Sequence, residues 1–199
     1  MQANSTPYPA TLTFDPPETV ANWRPLVNWL LAIPHFVVLY ALNIVSEVIG
    51  LVSWFMIVFT GELPEGLANL QVMCMRYSLR TYVYAAFLKE EYPPFTFGTT
   101  PADPGDDPRL RVDIAPQLVN RNRLTVAFRI ILVIPQVIVV GILTFVAYVA
   151  VLIAFFAVLF TGRWPSGLRD FVVGVMRWGV RVQTYFLLLT DDYPPFAMD

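Results

Sequence analysis

Charge, cysteine and histidine are all scarce in this chain. Only 14% of its 199 residues are Asp, Glu, Lys or Arg, against about 25% in ordinary soluble domains. Together with 56% hydrophobic residues, this excludes a disordered chain and argues against a water-soluble domain. Thirteen basic and fifteen acidic residues leave a formal charge of −2, so no basic surface is available to wrap nucleic acid. One cysteine, Cys74, excludes an intramolecular disulfide framework and a cysteine-only zinc site. One histidine, His35, argues against His-rich metal sites and a histidine relay. No Gly-x-Ser-x-Gly, His-Glu-x-x-His or Cys-x-x-Cys motif occurs. We therefore expect no cofactor, no resident metal and no enzymatic activity. Asp103, Asp106 and Asp107 lack the spacing of a calcium loop and read as a solvated linker.

The apolar residues are concentrated in long runs. Between Arg129 and Arg163 there is no charged residue. As one helix this run would be roughly 50 Å long, against a hydrocarbon core of about 30 Å. Pro135 is expected to split it, as Pro34 splits the earlier run, because an internal proline removes a donor and clashes with the preceding turn. The sequence thus predicts short interfacial helices over 22–33 and 123–134, followed by spans over 36–59 and 136–160. Residues 1–22 are polar and proline-rich, without a cationic or apolar leader pattern. Insertion is then expected to be directed by the first span.

Sliding the chain over itself by 101 residues exposes a duplication. Thr60-Gly61-Glu62-Leu63-Pro64-Glu65-Gly66-Leu67 falls on Thr161-Gly162-Arg163-Trp164-Pro165-Ser166-Gly167-Leu168, and Tyr92-Pro93-Pro94-Phe95 returns as Tyr193-Pro194-Pro195-Phe196. Arg76 and Arg80 fall on Arg177 and Arg181, and Tyr84 on Tyr185. The domain reading is a first repeat over 1–95, a linker over 96–108 rich in Pro, Gly and Asp, and a second repeat over 109–199. Each repeat opens with an extended segment, 8–14 or 109–114. The second alternates polar and apolar residues like a half-buried strand, and the two can pair into a small ribbon. A second helix, over 66–89 or 167–190, follows each Gly-x-x-Pro-x-Gly turn.

The predicted fold is an all-α integral membrane protein. It has two tandem helical hairpins with four transmembrane spans, short interfacial helices and a small β-ribbon at the cytoplasmic face. Lys and Arg concentrate outside the two turns, so the linker and both termini are expected in the cytoplasm.

The Ile-Pro start, the Phe-Thr-Gly-x-x-Pro-x-Gly-Leu turn, the Arg-x-x-x-Arg helix and the Tyr-Pro-Pro-Phe end resemble a bacterial membrane-protein family, domain of unknown function 4389. The resemblance covers both halves. It implies a multi-pass protein of the bacterial cytoplasmic membrane and brings no activity, cofactor or catalytic residue.

The paired arginines carry the sharpest signal. Arg76 with Arg80, and Arg177 with Arg181, are spaced i and i+4 on one helix face, and Tyr84 and Tyr185 continue the same stripe. An arginine at mid-bilayer costs about 2.5–3.5 kcal/mol on insertion scales. Four of them therefore need partners, and Glu47 falls at a depth that suits Arg76 and Arg80. Either these arginines are structural, snorkelling or capping carbonyls, or they bind an anionic lipid headgroup or an acidic partner segment. Two functions follow. The first is a non-enzymatic accessory or scaffold subunit, working with other membrane-protein subunits or as a homo-oligomer. The second is an anionic-lipid-binding or lipid-transport component that uses Arg76, Arg80, Arg177, Arg181, Glu47, Tyr84 and Tyr185.

Overall fold

The computed structural model describes residues 8–100 and 102–199. The first seven residues of the first repeat, and Pro101 of the linker, lie outside the described residues. The first half runs β1 (Ala10–Phe14), α1 (Arg24–Leu31), α2 (Ile33–Thr60) and α3 (Glu65–Ala85). The second repeats this with β2 (Leu110–Ile114), α4 (Arg123–Ala127), α5 (Arg129–Thr161) and α6 (Ser166–Phe186).

Local chemistry sets most of the boundaries. Pro34 sits in the first turn of α2, where its missing N–H costs nothing. α2 and α5 both stop at a left-handed glycine, Gly61 (φ 79°) and Gly162 (φ 67°). α3 and α6 are shorter than the sequence reading predicts. Each unwinds through a left-handed bulky residue, Phe87 (φ 46°) and Leu188 (φ 63°). The N–H groups of Leu88 and Leu189 reach back to the carbonyls of Val83 (3.1 Å) and Thr184 (3.0 Å), closing a Schellman-type end. Pro135 does not split its run. It lies inside α5, and the break falls earlier, at Phe128 between α4 and α5.

The ribbon forms as the alternation predicts. β1 and β2 pair antiparallel, with Leu12 opposite Val112. The inward residues Ala10, Leu12, Phe14, Leu110, Val112 and Ile114 are all buried; each large aliphatic side chain among them contributes ~1.5–3 kcal/mol by leaving water. They join Val72, Met75, Leu79 and Val83 of α3 and Val172, Val173 and Val180 of α6 in one core. β1, from the first repeat, packs chiefly on α6 of the second, whereas β2 contacts α3 of the first. The repeats are intertwined.

The long helices run in opposite directions. The Arg121 N–H donates to the Gly61 carbonyl (3.1 Å), and Trp54 Nε1 to the Val126 carbonyl (3.1 Å), so α2 ends where α4 begins. Reciprocally, the Val20 N–H donates to the Gly162 carbonyl (2.8 Å) and Asn22 Nδ2 to the Leu159 carbonyl (3.1 Å), so α5 ends beside the entry to α1. Each turn thus touches the segment that enters the other repeat, where the hairpin plan puts turns and entry segments on opposite faces of a membrane.

Three layers result: ribbon and linker, then α3 with α6, then α2 with α5. Among the described residues α2 and α5 are the two helices long and apolar enough to cross a membrane. In each, only 17% of the most apolar stretch is buried. Their outer faces carry Val37, Tyr40, Leu51 and Phe59, and Ile130, Ile142, Phe145 and Phe160, all exposed.

Candidate functional site

The arginine stripe of α3 is covered by the linker. Asp103, with a fully buried carboxylate, meets Arg80 Nη2 at 3.0 Å and Arg76 Nε at 3.8 Å. The same carboxylate accepts the backbone N–H groups of Val112 and Gly105, both at 2.9 Å. Arg76 also donates to the carbonyls of Val112 (3.0 Å) and Thr100 (2.6 Å). Arg80 reaches Asp106 (3.4 Å) and the Thr96 hydroxyl (3.1 Å). Beyond the end of α3, buried Lys89 pairs with buried Asp107, which also accepts the N–H groups of Arg109 and Leu110. Burial pulls the Lys89 ammonium below its ordinary pKa, against the pull of Asp107. Asp103 and Asp107 are therefore not solvated linker acids. Asp103 is the counterion of the α3 arginines, and Asp107 that of Lys89 just beyond the helix.

Glu47 does not join them. It is exposed on the outer face of α2, while its neighbour Ser46 points inward and takes a hydrogen bond from Gln71 of α3. Both depth and phase exclude it: Ser46 lies opposite Gln71, while the level of Tyr77 is met by His35, and residue 47 turns away from α3.

In the second repeat the arginines meet carbonyl oxygens. Arg181 Nη2 donates to Ala197 (3.1 Å) and Asp199 (2.5 Å), and Arg177 Nε to Leu12 of β1 (3.4 Å). The linker and the chain's last residues act as straps over α3 and α6. One Tyr-Pro-Pro-Phe segment leads directly into the linker, and the other lies within the last residues. Tyr92 and Phe95 enclose buried His35, whose ring stacks on Phe95 at 4.1 Å and whose Nδ1 lies 2.7 Å from the Tyr77 hydroxyl. At the equivalent place Gln136 bridges Trp178 Nε1 (2.8 Å) and the Pro194 carbonyl (2.6 Å).

Tyr84 and Tyr185 are buried near the ends of their helices. The Tyr84 carbonyl accepts Asn28 Nδ2 (3.0 Å), and Tyr84 stands edge-on to Tyr92 at 5.4 Å. Tyr185 carries Arg129 over its ring at 3.8 Å and accepts its Nη1 at 3.1 Å through the carbonyl. Arg129 and Arg121 converge on Asp191 at 2.6 and 2.9 Å, and the Asn122 N–H reaches it at 2.7 Å. Burial alone would push the Asp191 carboxyl up. The hydrogen bonds from Arg121 and Asn122, with the nearby guanidinium charge, outweigh it and hold the group below its ordinary value.

The structure brings Arg76 and Arg80 together with each other and leaves Glu47 apart. Asp103, Asp107, Asp191, Arg121 and Arg129 are the polar residues missed by sequence reading. One signal was available: four arginines demanding partners, and an acid-rich linker nearby. Cys74 is buried. Among the described residues no group of three or more His, Cys, Asp or Glu side chains is placed to hold a metal ion.

The model of the family described as domain of unknown function (DUF4389) matches residues 22–96 and again 123–198. The chain belongs to that family and carries its domain twice. No curated protein and no solved structure matches it.

Proposed function

We propose that this tandem DUF4389 chain is a non-enzymatic accessory or scaffold subunit of a larger membrane assembly. In this reading it is seated on the cytoplasmic side of a bacterial membrane through α2 and α5. One observation carries it: the molecule has one apolar exposed layer, α2 with α5, and spends its buried charge internally in the layers opposite. Arg76 and Arg80 hold the linker down rather than presenting guanidiniums outward. A phosphate could reach them only by displacing Asp103. The geometry therefore favours the scaffold over the headgroup-binding alternative.

The layering also bears on how the membrane is met. Were α2 and α5 both to cross, the axis relating the intertwined repeats would lie in the membrane plane, as in inverted-repeat transporters. The ribbon, which exposes Arg111, would then sit at mid-depth, at a cost of about 2.5–3.5 kcal/mol for that one charge. With α2 and α5 lying along the bilayer, every exposed charge of the ribbon and linker faces water, and Glu47 is the one exposed charge left on the two seated helices, where it must reach the headgroup level. Both ends of the chain and the linker then share the cytoplasmic side.

The test uses the full chain in a Cys74→Ala background, with single cysteines at Glu62, Arg111 and Arg163. In inside-out vesicles a membrane-impermeant maleimide should label all three, and alkaline carbonate should leave the protein in the membrane. Cross-linking in those membranes followed by native mass spectrometry should give a complex of fixed stoichiometry. Label at Glu62 or Arg163 only from the opposite face would refute the flat seating. A lone monomer carrying a bound anionic lipid that Arg76→Gln releases would refute the scaffold role.

A further inference from the structure

Beneath α2 and α5 lies a cavity that none of the ion pairs reaches. Its volume is about 680 Å³, inside the ~300–1,000 Å³ range of small-molecule sites. It sits on the axis between the repeats: Leu79 and Tyr82 of α3 face Val180 and Gln183 of α6, pairs separated by the repeat offset. Phe36 and Val137, again equivalent, contribute from the starts of α2 and α5. The symmetry is broken at one wall. Thr144 and Tyr148 of α5 line the cavity, whereas their counterparts Asn43 and Glu47 are exposed and do not.

Three features identify what fits. No charged residue lines the cavity, so it offers no counterion for a headgroup. Tyr82, Tyr148 and Gln183 are exposed at the mouth; further in, the Ser78 hydroxyl is already spent on the Cys74 carbonyl (2.8 Å) and half-buried Thr144 adds one hydroxyl. That leaves too few partners for ordered water. Finally, the cavity continues into a groove of about 350 Å³ on α5. The groove shares Val137, Thr144, Tyr148 and Val182 with it and runs out past Gly141 and Phe145 onto the exposed apolar face. The passage is mostly apolar, and it opens where the chain is proposed to meet the bilayer.

We infer that this cavity takes a single hydrocarbon chain of a membrane lipid, entering along the α5 groove with its polar end held at the mouth by Tyr82, Tyr148 and Gln183. This rests on the reading that α2 and α5 face lipid, and it is distinct from headgroup capture at the arginines. One chain is expected because the groove that shares the cavity's lining lies on α5, while Asn43 and Glu47, the α2 counterparts of Thr144 and Tyr148, do not line it.

Gly179 provides the test. It lines the cavity, and a Cβ built on it meets nothing within 4 Å. Gly179→Phe should therefore fill the space without moving the backbone, and replacing a helical glycine is itself favourable. The protein is reconstituted in phosphatidylcholine vesicles containing a trace of phosphatidylcholine with a diazirine on a palmitoyl chain. It is then irradiated, and labelled peptides are mapped by mass spectrometry.

In the wild type, label should appear in 78–86 and 172–186 as well as on α2. In Gly179→Phe the label in 78–86 and 172–186 should fall about tenfold, equivalent to ~1.4 kcal/mol of occupancy, with α2 unchanged. Thr144→Phe, from the opposite wall, should do the same and guards against a folding defect in the first variant. Equal labelling in wild type and both variants would overturn the inference while leaving the membrane seating intact. So would cross-links joining the cavity walls of two copies. Absence of label on α2 itself would overturn both.

Discussion

Replacing Asp103 with asparagine removes one negative charge and almost no volume. The carboxylate is fully buried, lies 3.0 and 3.8 Å from two buried guanidiniums, and accepts two backbone N–H groups at 2.9 Å. An asparagine offers one acceptor oxygen in place of two and turns an NH₂ towards donors. Breaking a buried pair from one side costs about 3–5 kcal/mol, because the remaining charge stays buried without its partner. Asp106, 3.4 Å from Arg80 and partly exposed, offsets part of this for Arg80 and little for Arg76. The low end, about 3 kcal/mol, is therefore expected, which for a chain of this size lowers Tm by roughly 6–12 °C. Thermal unfolding in a mild detergent, followed by circular dichroism, reads this directly. Limited proteolysis should cut within 96–108 in the variant and spare the wild type. A triple replacement, Asp103→Leu with Arg76→Met and Arg80→Met, should recover much of the loss, since an apolar substitute for a buried ion cluster is often neutral. An Asp103→Asn protein within ~0.5 kcal/mol of wild type would refute the reasoning. It would mean that the linker does not seal the arginines and that they are open to a ligand.

Three other outcomes follow from the same geometry. Asp191 has a depressed pKa, so its contribution is fully present above the unfolded value of about 3.9 and is lost as pH falls through the lower folded value. Asp191→Asn should lower stability at pH 7 and flatten the acid limb of a Tm-against-pH curve; an unchanged limb would contradict the Arg121 and Arg129 pairing. Glu47→Leu should leave the unfolding free energy within ~0.5 kcal/mol of wild type, whereas a large loss would restore Glu47 as the partner of α3. Gly162→Ala should cost at least ~1–2 kcal/mol for the left-handed backbone, and more because its Cβ would stand 2.7 Å from Asn22 Oδ1 and 3.2 Å from the Val20 carbonyl; a neutral result in the same unfolding assay would contradict the turn-to-entry contact.

The features legible in the sequence were those with a period or an offset. The duplication follows from a constant spacing, and β2 follows from the alternation of Leu110, Arg111, Val112, Asp113 and Ile114. The apolar runs gave α2 and α5 because membrane-length hydrophobicity is local. What escaped was set by contacts distant in the chain. Pro135 sits within α5 because the break at Phe128 comes first, and residue type alone does not choose between the two positions. The partner of Arg80 lies 23 residues on, in a linker whose acids look solvated until they fold back. Counting residues from the turn puts Glu47 level with Arg76 and Arg80, yet Ser46 meets Gln71 and His35 meets Tyr77, so the hairpin is offset along its length and Glu47 also faces outward. That α2 and α5 run head to tail depends on Gly61 meeting Arg121 and Gly162 meeting Val20, contacts without any periodic trace.

The exchanged strands have an evolutionary consequence. β1 leaves its own repeat to rest on α6, and β2 leaves its own to rest on α3, so one unit alone would lack the strand that covers its helix and the turn that receives its entry segment. An ancestor with a single unit would have completed itself by pairing with another copy, each lending a strand across the axis. In this chain the two units are tethered and no longer alike: one carries Glu47 where the other has Tyr148, and a nearly symmetric pair holds a single lopsided cavity.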